Sequence, residues 1–131
     1  MDDAESNSQR TKVIVVERYP LARTVLADLL VGDGYRVFQS DSAESAITCI
    51  DQNKDAAAVL ADLEMPGWKS LVRYTLATAS NTSVIAMLAG HSIVDPEELR
   101  RRGIKCWIVK PVVYDDIQRL LRSGEKQKFK S

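Results

Sequence analysis

The segment VLADLEMPGW, residues 59–68, places an aspartate at the end of an apolar run. A run of Val and Leu bounded by Pro and Gly predicts a short buried strand, and Asp62 lies where that strand ends. A lone aspartate at such a point usually caps the following turn. Glu17 and Lys110, however, come directly after two other apolar runs in the same way. If these strand ends are neighbours, two carboxylates and a cation meet, which favours chemistry at Asp62 over a capping role.

Strands and helices must alternate along the chain to bring those ends together. Five apolar runs predict the strands: KVIVV at 12–16, YRVF at 35–38, AAAVLA at 56–61, SVIAML at 83–88 and CWIV at 106–109. The runs are apolar nearly throughout, which is typical of parallel strands covered on both faces. Ligands of such sheets bind beyond the carboxyl ends of the strands.

Helical patterns occupy the segments between the strands. The first helix begins at Pro20, carries Leu21, Val25, Leu26, Leu29 and Leu30 at helical spacing, and ends at Gly32-Asp33-Gly34. Asp41 with Glu44 predicts a capping box for the second helix, and residues 69–79 form the third. Asp95 as N-cap and Pro96 at N1 begin a short fourth helix before Gly103, and residues 114–122 form the fifth. The pattern predicts an α/β fold, a doubly wound five-stranded parallel sheet with five helices.

Composition limits the function classes. The 131 residues are 45% hydrophobic, which is enough for one domain with a single core. Lys and Arg number 18 and Asp and Glu number 18, so we expect no net charge that would attract nucleic acid or an acidic membrane surface. Cys49 and Cys106 are far apart without a metal-binding pattern, which favours reduced thiols in a cytoplasm. The start is polar rather than a signal peptide, and no apolar run is long enough to span a membrane. We expect a polar tail at 1–10, the domain at 11–123 and a basic tail at 124–131.

Two motifs add a family resemblance that covers residues 11 to about 123. The segments ADLEMPG and VKP, with five spaced βα units, resemble a receiver domain, the phosphoacceptor module of two-component response regulators and hybrid histidine kinases. The resemblance implies a flavodoxin-like receiver fold in a bacterial signalling protein that is not an enzyme. It makes Asp62 the candidate phosphoacceptor and Lys110 the cation that contacts the phosphate. It also implies Mg²⁺ held by Glu17, Asp62 and the backbone carbonyl of Glu64.

Physical chemistry supports that combination of residues. A carboxylate that attacks a phosphoryl group approaches an anion, so a metal ion and a lysine are needed to neutralise charge on the transferred oxygens. Mg²⁺ prefers near-octahedral oxygen ligands, usually one or two carboxylates with water and phosphate.

Arg18 departs from the family pattern, which has a second acidic residue there. A guanidinium near Asp62 would occupy the place of the metal. Glu17 and Asp62 then give a charge of −2 and Arg18 and Lys110 a charge of +2, so the pocket sums to zero and we expect only weak Mg²⁺ binding, with no other cofactor. In the alternative, Arg18 points to solvent, as long arginine side chains often do.

Two further departures concern the switch positions of the family. Leu88 stands where receivers have a Thr or Ser whose hydroxyl bonds the phosphoryl oxygen, and leucine has no such donor. Trp107 stands at the position of a Tyr or Phe that changes rotamer. A tryptophan there is either a fixed binding anchor or a partly buried core residue.

We therefore expect an atypical receiver that acts as a protein-interaction module, with phosphotransfer at Asp62 impaired or lost. Its partner-binding face would comprise the fourth helix, fifth strand and fifth helix. The partner would be a histidine kinase, another signalling protein or a domain of the same chain, with no nucleic acid and no membrane contact. One alternative is a working receiver that takes a phosphoryl group from a histidine kinase onto Asp62. Another is a small-ligand sensor that binds a cyclic dinucleotide through Arg100, Arg101 or Arg102 with Trp107.

Overall fold

The computed structural model describes the backbone of residues 10–130 and the side chains of residues 10–123. The strands are β1 (Lys12–Val16), β2 (Arg36–Ser40), β3 (Ala58–Asp62), β4 (Ser83–Leu88) and β5 (Cys106–Val109). The helices are α1 (Pro20–Gly32), α2 (Ala43–Gln52), α3 (Trp68–Thr78), α4 (Pro96–Arg101) and α5 (Tyr114–Lys130). Apart from Arg10, the polar tail predicted at 1–10 lies outside the described residues.

All five strands pair in parallel, in the order β2-β1-β3-β4-β5. Alternate residues of a strand point to opposite faces, so β1 contributes to two cores. Ile14 and Val16 pack in the core that contains side chains of α2, α3 and α4. Val13 and Val15 pack in the core that contains side chains of α1 and α5. The prediction of a doubly wound parallel sheet with five helices is confirmed.

Some boundaries differ from the sequence-based expectation. The N-cap of α2 is Ser42, whose Oγ accepts a hydrogen bond from the Ser45 amide at 3.1 Å, so the prediction of Asp41 was wrong. Helix α2 begins at Ala43, one residue later than expected, so Ser42 rather than Asp41 occupies the N-cap position. Asp95 does cap α4, accepting from the Glu97 amide at 2.8 Å. Helix α5 continues to Lys130, beyond its predicted end at residue 122.

The strand order reverses next to β1, between its neighbours β2 and β3. In an open parallel sheet this reversal opens a crevice beyond the carboxyl ends of the strands. Glu17 comes directly after β1, Asp62 ends β3 and Leu88 ends β4. No helix in the described part of the chain is both long and apolar enough to cross a bilayer.

Candidate functional site

Two carboxylates are buried at the carboxyl edge of the sheet. Glu17 is 2% exposed and Asp62 is 1% exposed. Glu17 follows β1 and Asp62 ends β3, and both of these strands lie inside the sheet between two other strands. Burying a charged group is costly unless a partner of opposite charge compensates it. The pair therefore requires a cation close by.

Lys110 is that cation. Its Nζ lies 3.0 Å from Glu17 Oε2, 3.2 Å from Asp62 Oδ1 and 3.3 Å from Glu64 Oε2. It comes directly after β5, its backbone amide donates to the Leu88 carbonyl at 2.7 Å, and its peptide bond to Pro111 is cis. The structure thus brings together Glu17, Asp62 and Lys110, the three residues predicted to meet at the strand ends, and their chemical roles remain predictions.

Glu64 contributes more than the sequence indicated. The resemblance assigned it only a backbone carbonyl, yet its carboxylate pairs with Lys110 and its amide donates to Asp62 Oδ1 at 2.9 Å. Three carboxylates therefore surround one lysine, a charge of −2 rather than the zero obtained by counting Arg18 and omitting Glu64. The turn that begins at Asp62 returns Glu64 toward the site, and its position two residues after Asp62 is the signal that could have revealed this.

Burial and charge act in opposite directions on the ionisable groups. Burial raises the pKa of Glu17, the charge of Asp62 adds to this, and the hydrogen bond from Lys110 opposes it. Burial alone would lower the pKa of Lys110, but the Glu17 hydrogen bond and the Asp62 charge outweigh it and raise that pKa. Lys110 consequently stays protonated at neutral pH.

The unpaired oxygen of Asp62 fits a metal ion. Asp62 Oδ2 is buried and has no hydrogen-bond partner, whereas Oδ1 accepts from Glu64 and pairs with Lys110. A buried oxygen without a partner is rare in proteins and calls for an explanation such as an ion. Within the described residues no group of three or more acidic, His or Cys side chains forms a metal cage. A site with two carboxylates and a backbone carbonyl suits Mg²⁺, which keeps several waters.

Arg18 lies outside the pocket. Its side chain is exposed, and its Nη2 donates to the Tyr19 hydroxyl at 2.9 Å while Cζ lies 4.9 Å from the centre of the Tyr19 ring. The Tyr19 hydrogen bond raises the pKa of Arg18, with smaller contributions from the charges of Asp62 and Glu64. Among the ion pairs of the described side chains, none joins Arg18 to Asp62. The structure therefore corresponds to the alternative in which Arg18 points to solvent.

Leu88 and Trp107, the two positions predicted to correspond to the family's switch residues, differ from the carboxylates in their surroundings. Leu88 is 7% exposed and belongs to the core between the sheet and helices α2, α3 and α4. Trp107 packs half-buried against the same core, and Arg100 Cζ lies 5.3 Å from its ring centre. Trp107 therefore combines features of the two roles that the sequence left open, a core contact and a partly exposed ring.

Arg100 and Arg101 of α4 and the C-cap residue Arg102 diverge instead of forming one clamp. Arg100 pairs with Glu97 at 2.8 Å as well as facing Trp107. Arg102 pairs with Glu98 at 3.0 Å and lies over Trp68. Arg101 is exposed. Of the three, the structure places only Arg100 beside Trp107.

Sequence reasoning missed an apolar groove beside the site. Leu21, Val25 and Leu29 are 77%, 49% and 44% exposed, although the helical pattern grouped them with the buried Leu26 and Leu30. Together with the β5–α5 connection they line a groove of about 580 Å³ whose wall also includes Glu17, Glu64 and Lys110. The spacing of these three residues, i, i+4 and i+8, marks a second apolar stripe beside the core-facing one.

The five-stranded parallel sheet with five helices is the receiver fold of response regulators. A receiver domain from Clostridium thermocellum has a TM-score of 0.82 and 18% identity, covering 90% of this chain and 96% of that chain. The receiver domain of sensor histidine kinase PA1611 from Pseudomonas aeruginosa PAO1, with magnesium coordinated in its active-site cleft, has a TM-score of 0.77 and 24% identity, covering 88% and 97%.

A curated protein is similar in sequence as well. The chain is 26% identical over 122 residues to sensor histidine kinase RcsC of Escherichia coli. The match covers 92% of this chain but 13% of the length of RcsC. No family model matches the chain.

The lysine contacts lead to a prediction about stability. Replacing Lys110 by Met leaves Glu17 and Asp62 buried without a cation, so we expect the free energy of unfolding at about pH 7 to fall by about 3–5 kcal/mol. Burial already raises the folded-state pKa of Glu17 above its unfolded value, and losing the opposing Lys110 hydrogen bond raises it further, so the loss should shrink as pH falls toward about 5. Urea denaturation at both pH values measures the change.

Lys12→Met is the matched control. Lys12 is 18% exposed against 20% for Lys110, but its partner Asp55 is 71% exposed. An exposed pair contributes little, so this variant should lose less than about 1 kcal/mol. Equal losses in the two variants would mean that the buried carboxylates do not depend on Lys110.

Proposed function

We propose that the chain is a working receiver domain of two-component signalling, in which Asp62 accepts a phosphoryl group from a phosphohistidine. One observation carries the proposal: Asp62 is buried at a strand end with one oxygen held by Lys110 and Glu64 and the other without a partner. A carboxylate held in this way is oriented for attack, and it loses no hydrogen bond when its second oxygen binds a ligand.

The transfer needs few groups from the protein. An Asp62 oxygen forms a bond to phosphorus while the bond from phosphorus to the histidine nitrogen breaks, and the imidazole keeps that electron pair. Lys110 is placed to neutralise charge on the transferred oxygens, since its Nζ lies 3.2 Å from the acceptor carboxylate. Catalysis is then mainly a matter of positioning and electrostatics, as in other phosphoryl transfers.

Mg²⁺ is the cofactor that the site would hold, through Glu17, Asp62 and the Glu64 carbonyl. When bound it would supply positive charge next to the transferred oxygens. The magnesium in the PA1611 receiver domain supports this choice. With Arg18 outside and Glu64 inside, the pocket charge of −2 favours a dication, which is why we prefer a working acceptor to an impaired one.

The groove along α1 suits the phosphodonor. The donor must bring its phosphohistidine to Asp62, and this groove shares Glu17, Glu64 and Lys110 with the acceptor pocket. Apolar residues at i, i+4 and i+8 on a helix are typical of surfaces that bind another helix. We therefore propose a helical domain of a histidine kinase or relay protein as the partner, from a separate protein or the same chain, in the cytoplasm.

A phosphoryl mimic tests the acceptor. With Mg²⁺, beryllofluoride should shift the amide resonances of wild type near Asp62 and Lys110, and Asp62→Asn should abolish the response. Because Leu88 has no hydroxyl, we expect little change at α4 in wild type, and Leu88→Thr should extend the shifts to α4 and Trp107. Wild type that fails to respond with excess Mg²⁺ and beryllofluoride would rule out a working acceptor.

Substitutions in the α1 groove test the donor surface. Changing both Leu21 and Val25 to Ser should slow phosphorylation by a protein donor by about tenfold, because apolar contact area is lost, while labelling by acetyl phosphate stays unchanged. The donor is the autophosphorylated kinase of the host that labels wild type fastest in a screen. Val31→Ser is the matched control, since Val31 is 50% exposed on the same helix but does not line the groove. Equal slowing by the control, or slowing with acetyl phosphate, would argue against docking there.

A second candidate function is an interaction module that works without phosphotransfer. The buried Leu88 favours it, because strand β4 then offers no hydroxyl at this position that could link a phosphate to α4. Its contact surface would be the face of α4, β5 and α5, where Trp107, Val109 and Val113 border a groove of about 620 Å³ and the latter two are each 54% exposed. The cyclic-dinucleotide alternative is less well supported, since the arginines of α4 diverge.

A further inference from the structure

Tyr19 stands between two cations at the mouth of the acceptor pocket. On one side its hydroxyl accepts from Arg18 Nη2 at 2.9 Å, and Arg18 Cζ lies 4.9 Å from the ring centre. On the other side Lys110 Nζ lies 5.5 Å from the same ring centre. The residue is 48% exposed, so the ring is held by these contacts rather than by core packing.

Stronger partners for Arg18 lie inside the pocket. Arg18 is the residue after Glu17, and Asp62 Oδ2 is a buried carboxylate oxygen without a hydrogen-bond partner. A guanidinium bonds a carboxylate more strongly than a phenol oxygen, and the charge of −2 inside the pocket attracts it. Within the described residues, the hydrogen bond and the ring contact of Arg18 are both made with Tyr19. Entering the pocket would also strip water from the guanidinium, and the contacts with Tyr19 add to that cost in opposing the attraction.

We propose that Tyr19 is a positioning residue that holds the Arg18 guanidinium outside the pocket, so that the metal position beside Glu17 and Asp62 stays open. The inference rests on the proposed function for the identity of the metal. Its consequence is that, without the Tyr19 hydroxyl, the Arg18 guanidinium would enter the pocket and occupy the metal position. The chain then needs Tyr19 because it carries Arg18 where the family pattern has a carboxylate.

Tyr19→Phe is the direct test, because it keeps the ring beside Lys110 and removes only the oxygen that Arg18 bonds. Mg²⁺ titrations followed by amide shifts should show about three- to tenfold weaker binding, the range expected for one hydrogen bond. In the Arg18→Ala background the same substitution should change Mg²⁺ affinity by less than about twofold, since no guanidinium remains to enter. Tyr74→Phe is the matched control, because it removes a hydroxyl bonded to Asp51 at 2.8 Å, away from the site, and should leave Mg²⁺ affinity unchanged.

A second measurement does not need the metal. In Tyr19→Phe without Mg²⁺, the guanidinium protons of Arg18 should lose their contacts to the ring at position 19 and gain contacts to protons of residues 62–64. An unmoved guanidinium, or an equal loss of Mg²⁺ affinity with and without Arg18, would overturn the positioning role. If the guanidinium moves but neither wild type nor Arg18→Ala binds Mg²⁺, the positioning role stands and the proposed phosphoacceptor function fails.

Discussion

The contact of Lys110 with three carboxylates is the interaction on which the rest of the site depends. Removing a carboxylate from water costs several kcal/mol, and Glu17 and Asp62 are both almost fully buried. They tolerate this because Lys110 reaches them at 3.0 and 3.2 Å from the end of a third strand. The geometry requires the registers of β1, β3, β4 and β5 to be fixed together, which the two cores on either side of the sheet provide. The same packing of the sheet therefore stabilises the fold and positions Lys110 against the two buried carboxylates.

Lys110 does not neutralise all of the negative charge in the site. Lys110 supplies +1 against three carboxylates, and Asp62 Oδ2 has no partner. The pocket consequently attracts a second cation, either a dication from solution or the guanidinium of Arg18. In the structure the guanidinium of Arg18 lies on Tyr19 instead, and under the proposed role of Tyr19 this position leaves the site to a dication. An arginine at a position where the family pattern has an acid is therefore compatible with an intact acceptor geometry.

The sequence was sufficient to predict the features that depend on buried apolar runs, and insufficient for those that depend on side-chain direction. The five strands, and the meeting of Asp62, Glu17 and Lys110, result from runs that are long and apolar enough to be buried. The direction of Arg18, whose guanidinium bonds the hydroxyl of the next residue, does not follow from the sequence pattern. The exposed apolar stripe of α1 has the same helical spacing as the buried one, and only the packing of α1 against the sheet and α5 decides which stripe is covered. The inward turn of Glu64 likewise depends on Lys110, 46 residues away.

The proposed donor surface on α1 and the proposed contact surface at α4 are unequally connected to Asp62. The α1 groove shares Glu17, Glu64 and Lys110 with the pocket around Asp62, so under the proposed function a change of charge at Asp62 acts directly on a partner in that groove. On the output side, the path to α4 and Trp107 passes through Leu88, which is packed in the core and has no polar group. If Asp62 is phosphorylated, the added charge therefore acts most strongly on the partner that delivered it. Under the proposed function, this arrangement favours relay or release at the α1 face over a conformational signal at α4.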